Sequence, residues 1–228
     1  MKREGRKGMN VILAVVLSLI GGTVSPAVLA DSDTVNLTFN YTVLQGTCDV
    51  TVGSDGVNGL LAFPDVSVTG TTLPTNWGPL AGSSSVQVFS VRLTKCAGQA
   101  AAGKSPGLEI NGDTDSSAGA SADSKMFLFV NNAAPSPGDA KGFGFVITKD
   151  NVTPASNYKN SLIGDKNKGV PASQRYIAIP NKGAGTAVTS DTTVPLKAYI
   201  TCGDKCNTVS SLKAGDLRAS VTFHFLYH

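Results

Sequence analysis

Apolar and polar residues alternate with a period of two over the last stretch of the chain. Leu217, Ala219, Val221, Phe223, Phe225 and Tyr227 share one face, and Asp216, Arg218, Ser220, Thr222 and His224 share the other. The same pattern occurs early, with Val35, Leu37, Phe39, Tyr41 and Val43 against Asn36, Thr38, Asn40 and Thr42. Each pattern predicts a strand with one buried face. Between them, short runs rich in β-branched and aromatic residues are bounded by Gly, Pro, Asn, Asp or Ser. They predict strands at Cys48 to Val52, Val86 to Leu93, Leu108 to Ile110, Met126 to Val130, Gly144 to Thr148, Tyr176 to Ile179 and Val194 to Thr201. Ala97 to Lys125 and Lys149 to Ser173, dominated by small and polar residues, read mainly as loops. No segment keeps helical periodicity for three turns. The fold class is therefore all-β, a sandwich in preference to a barrel.

The first 30 residues have a different character. Lys2, Arg3, Arg6 and Lys7 precede an apolar run from Val11 to Ile20, and Val28 and Ala30 stand just before Asp31. This is the layout of a secretory signal peptide cleaved after Ala30, and the run is too short to span a bilayer, which takes about 20 apolar residues. The segment holds four of the 19 basic residues and one of the 16 acidic ones, leaving 15 of each in residues 31 to 228. A neutral mature chain has no electrostatic footprint for nucleic acid.

Cys48, Cys96, Cys202 and Cys206 all lie after the signal segment, so an oxidising compartment and disulfides are expected. Of three possible connectivities, Cys48 with Cys96 and Cys202 with Cys206 is preferred: Cys48 and Cys96 flank strand-like runs, and Cys202 and Cys206 are four apart around Gly203 and Asp204. The first link closes a loop of about 50 residues, for which a chain-entropy estimate is about 4 kcal/mol. A zinc site from the four thiolates is disfavoured by their spacing.

Little catalytic chemistry is on offer. His224 and His228 are the two histidines, and the sequence has no G-x-S-x-G, H-E-x-x-H or phosphate-loop motif. Gly142-Phe143-Gly144-Phe145 precedes a β-run and reads as close strand packing. Asp113, Asp115 and Asp123 do not match an EF-hand loop and read as a solvated acidic loop. No catalytic residue, metal ligand or cofactor is expected, and the protein is not read as an enzyme.

Taken together, the amino-terminal alternation, Cys48 paired with Cys96 at the end of Phe89-Ser-Val-Arg-Leu-Thr-Lys-Cys96, the run Pro195-Leu-Lys-Ala-Tyr199, and a terminal strand framed by Gly215 and the penultimate Tyr227 resemble pilin subunits of the chaperone-usher pathway. The resemblance covers nearly all of residues 31 to 228. It differs in having Tyr41 where family extensions often carry glycine, and in the additional Cys202 and Cys206 pair. It implies an incomplete immunoglobulin-like sandwich, completed by a donor strand from another chain. Residues 1–30 would be the signal peptide, 31–47 a donor-strand extension and 48–228 the pilin domain. The donor side chains would be Val35, Leu37, Phe39, Tyr41 and Val43. The groove taking a chaperone strand or a neighbour's extension would be built on Gly215, Leu217, Ala219, Val221, Phe223, Phe225 and Tyr227. The implied partners are a periplasmic chaperone, an outer-membrane usher and other pilin subunits, with the protein exported through the periplasm to a surface fimbria that supports cell adhesion. The alternative is a free-standing secreted β-sandwich that binds carbohydrate through its loops.

Overall fold

The computed structural model describes residues 46–53, 59–66, 73–75, 77–80, 82–100, 102–131, 138–149 and 158–228. The expected signal peptide and the amino-terminal strand carrying Val35, Leu37, Phe39, Tyr41 and Val43 lie outside them. Eight strands are present among the described residues: β1 (Thr47–Val52), β2 (Gln87–Ala97), β3 (Pro106–Gly112), β4 (Gly144–Lys149), β5 (Leu162–Ile163), β6 (Ile177–Ala178), β7 (Thr192–Thr201) and β8 (Val221–Tyr227). They form two antiparallel sheets in the orders β1-β2-β7-β4-β5 and β6-β3-β8. The fold is all-β.

Side-chain alternation explains how the two sheets share a core. Phe89, Val91 and Leu93 of β2, Val194, Leu196 and Ala198 of β7, and Ile147 of β4 belong to one buried cluster with Leu108 and Ile110 of β3 and Phe223 of β8. Intervening residues such as Arg92 and Thr193 face away from it, as period-two geometry requires. Pro195 lies in β7 without disrupting it because the β4 ladder stops at Leu196; its missing N–H falls beyond that ladder, while Ser90 of β2 lies on the other side.

A second cluster covers the outer face of the five-stranded sheet, where Trp77, Phe127 and Leu128 pack with Val146 and Tyr199. The Tyr199 hydroxyl donates to the Trp77 carbonyl at 3.0 Å, and the Trp77 indole N–H donates to Asp204 at 3.0 Å. Burial pushes the Tyr199 phenol far above its usual range. Trp77 has φ +67°, held in this uncommon conformation for a bulky residue by these bonds and by the ring's seat on Gly203.

Three expectations need correction. Met126 to Val130 is not a strand: Met126 and Phe127 end helix α1 (Ala122–Phe127), because Ser121 caps it by accepting from the Ser124 N–H. Phe129 then makes single bridges to Thr114 and Phe145. The terminal strand starts at Val221 rather than Leu217, since its partner β3 ends at Gly112, opposite Val221. The expected loops also contain unforeseen structure, with α1 in one, beside the strand expected at Leu108 to Ile110 and observed as β3, and β5 in the other; short helix α2 (Ala172–Arg175) follows at the second loop's end.

Candidate functional site

Among the described residues β1 and β8 are edge strands of opposite sheets. β1 is fastened to β2 at a bulge: Thr47 pairs with Ala97 and Asp49 with Thr94, so β2 has one extra residue there, and Lys95 takes φ +49°. The Cys48–Cys96 disulfide bridges this irregularity, and Cys202–Cys206 closes the short turn after β7. Val50 and Val52, on the same face as Cys48, turn towards the core.

At one end the two edges meet. A Cβ on Gly46 would stand 3.0 Å from the Tyr227 ring and hydroxyl, and the Tyr227 oxygen accepts from the Val188 N–H at 3.2 Å. Away from that end an apolar groove of about 830 Å³ lies between the sheets. Val52 forms part of one wall, Phe89, Ile147 and Ala198 the floor, and Leu217, Ala219, Val221 and Phe223 the other wall. A further cavity of about 440 Å³ continues past Leu217 to Leu80 and Phe143.

The residues singled out at the carboxyl terminus are thus divided. Leu217, Ala219, Val221 and Phe223 line the groove, while Gly215 lines the further cavity. Phe225 and Tyr227 lie outside both linings: Phe225 packs on the main core and Tyr227 closes the end against Gly46. Gly215 has a steric reason to be glycine, since a Cβ there would stand 2.1 Å from the Gly138 carbonyl oxygen. That approach is made by the pairing of Asp139 with Asp216 and of Lys141 with Lys213. Gly142 and Gly144 are likewise pressed against Leu212 and Leu128, which bears out close packing for the glycine-rich run.

The wall formed by β8 depends on β3, and β3 is anchored by charge. Glu109, buried on β3, accepts from Lys166 at 3.0 Å and from Arg175 at 3.2 and 3.3 Å. Burial alone would raise the Glu109 pKa, but these two cations outweigh it and hold the carboxyl below its usual value. Arg175 also lies 5.2 Å from the Tyr176 ring centroid, and Tyr176 stacks on His228 at 3.9 Å. Burial, with Lys104 nearby, lowers the His228 pKa.

The acidic cluster is solvated only in part: Asp113 is exposed, but the other two carboxylates are engaged. Asp115 is buried and takes a hydrogen bond from Lys205 at 2.7 Å, and Asp123 pairs with Lys159. Burial opposes ionisation of Asp115, yet Lys205 and Ser117 hold its pKa below the ordinary value. Among the described residues no group of three or more His, Cys, Asp or Glu is placed to hold a metal ion. No described helix is long and apolar enough to cross a membrane.

The sequence reading missed the rest of the groove: Val52, Phe89, Phe145 and the segment around Phe63. Its signal was the apolar run Leu60-Leu61-Ala62-Phe63, of which Leu61 and Phe63 pack against the main core. No family model and no curated protein matches the chain.

Proposed function

We propose that the protein is a structural subunit of a surface fimbria assembled by donor-strand exchange. The observation that carries this reading is β8: an edge strand whose apolar side chains border a groove left between two sheets. An unpaired strand edge beside uncovered apolar surface calls for an added strand, which supplies main-chain hydrogen bonds along the edge and alternate side chains into the groove. The same chain carries a segment of that chemistry at Val35, Leu37, Phe39, Tyr41 and Val43. The Gly46 N–H bonds to the Gln99 carbonyl, prolonging the β1–β2 pairing away from the groove, so return of the chain's own segment requires an immediate reversal. Donation to a second subunit avoids that turn. A periplasmic chaperone strand would hold the groove before an outer-membrane usher passes the subunit on, and the disulfide at the base of β1 suits an oxidising compartment.

The test compares two chains lacking residues 1 to 44, one ending at His228 and one carrying a copy of residues 31 to 44 after a short turn-forming linker. The second is expected to be monomeric and more stable by a few kcal/mol, since each large apolar side chain fully buried contributes about 1.5–3 kcal/mol before ordering costs. Urea denaturation and size-exclusion chromatography read both properties. Equal stability would mean that the sandwich is already complete and would defeat the proposal. A Phe39→Asp change in the linked copy should abolish the gain, because an unpaired charge is costly in an apolar groove.

A further inference from the structure

The groove already contains part of this chain. Residues 60–66 run along it without strand or helix. Leu61 and Phe63 pack against the main core, and the Phe63 ring lies 4.9 Å from that of Phe145. Leu61, Phe63, Phe145, Leu217 and Arg218 line both the 830 Å³ groove and the 440 Å³ cavity, so Phe63 stands where the two adjoin. Next to it Leu60 is 84% exposed, a large apolar side chain left in water at the groove mouth.

We propose that Leu61 and Phe63 are a built-in plug that holds the groove in two parts, and that a strand docking along the whole of it must displace them. The occupant to which we commit is residues 35–43 of a second copy, so the displacement half of the proposal rests on the strand-accepting reading above. Dimensions support it. Alternate side chains of a strand recur about every 6.7 Å, so the five apolar donors from Val35 to Val43 span about 27 Å. The wall from Leu217 to Phe223, six residue steps of which the first lie outside β8, is at most about 22 Å long. A donor of that length cannot be seated without crossing the place where Phe63 meets Phe145. The plug is also suited to leave: it belongs to neither sheet, and Pro64 has no N–H to give to a ladder. Segments with little backbone pairing open at low free-energy cost. Phe63 is then the residue that sets which strands enter, admitting those whose apolar side chains replace its own contact with Phe145.

The experiment uses the full chain with Phe63→Ala, Leu61→Ala and Phe63→Leu, and two probes: the dye ANS, and a synthetic peptide of residues 31 to 44. Phe63→Ala should raise ANS fluorescence at least threefold and speed peptide association about tenfold, with Leu61→Ala between it and the parent. Phe63→Leu, which keeps apolar bulk, should stay near the parent in both, and Trp77 fluorescence checks that each variant is folded. Peptide should also speed chymotryptic cleavage after Leu60, Leu61 or Phe63 in the parent. Unchanged dye binding and unchanged association in a folded Phe63→Ala chain overturn the plug, even if the peptide binds every variant and so supports the strand-accepting groove. Raised dye binding with no peptide binding to any variant supports the plug and overturns its displacement by this strand.

Discussion

Replacing Glu109 by glutamine removes the charge that anchors β3 while keeping the side-chain shape. The Glu109 side chain is 9% exposed, whereas those of Lys166 and Arg175 are 26% and 37% exposed. A hydrogen bond to a charged group contributes about 1.5–3 kcal/mol, and breaking a fully buried ion pair costs about 3–5 kcal/mol. Here both cations regain water when the carboxylate is lost, so the expected cost at pH 7 is near the low end, about 2 kcal/mol. The pH dependence gives a sharper test. The folded carboxyl has a lowered pKa, so as the pH falls the unfolded chain takes up this proton first. The stabilisation is therefore fully present above the ordinary glutamate value, near pH 4.5, and is lost as the pH falls through the lower folded value. Urea denaturation between pH 7 and 2.5 should show the parent losing stability across that acid window more steeply than Glu109→Gln. Asp115, lowered in the same direction by Lys205, should account for part of the remaining slope, so adding Asp115→Asn flattens it again. Parallel curves for the parent and Glu109→Gln would refute the claim that this carboxylate is stabilised in its ionised form.

Two further outcomes are expected from substitutions around the groove. Alanine at both Cys48 and Cys96, separated by 48 residues, should cost about 4 kcal/mol of chain entropy against about 2 kcal/mol for Cys202 and Cys206, separated by four; urea midpoints that reverse this order contradict the estimate. Gly215→Ala has to push the backbone of residues 138–140 away, at a cost of about 1–3 kcal/mol, and hydrogen exchange at the Asp216 and Lys141 amides should quicken with it.

The long strands were legible because their alternation is local. β2, β4 and β7 lie within a few residues of the runs read from the sequence, and both disulfides follow the pairing expected from their positions. Met126 and Phe127 were misread because their composition suits a strand, whereas the Ser121 cap draws them into α1. Asp115 looked solvated because Lys205, its partner, is 90 residues away in the chain. β5 has two residues, too few to establish a period, whereas the equally short β6 lies within the run read at Tyr176 to Ile179. The groove was half legible for a related reason. The alternating face of residues 217 to 223 is written in sequence order, but the opposing Val52, Phe89 and Phe145 become neighbours only through the strand order, which leaves β1 and β8 at the edges.

That strand order makes a last prediction about dynamics. β7 lies between β2 and β4: β2 pairs with Thr192 to Ala198 and β4 with Leu196 to Thr201, so every residue has a ladder neighbour and Leu196 to Ala198 have one on each side; among the described residues β8 has β3 on one side and the groove on the other. In an antiparallel edge strand, one residue directs both backbone groups to its neighbour and the next directs both to the open side. Exchange of amide hydrogens in a chain lacking residues 1 to 44 should therefore be slowest at the centre of β7, from Leu196 to Ala198, with the amides of Val221 to Tyr227 alternating between protected and fast. Adding a saturating peptide of residues 31 to 44 should slow the fast set and leave the β3-facing set little changed, because a strand laid on the edge bonds only to the groups that point outwards. Slow exchange of both sets before any peptide is added would mean that the β8 edge is already covered. In that case the groove beside it has no role as an acceptor, whatever its apolar lining.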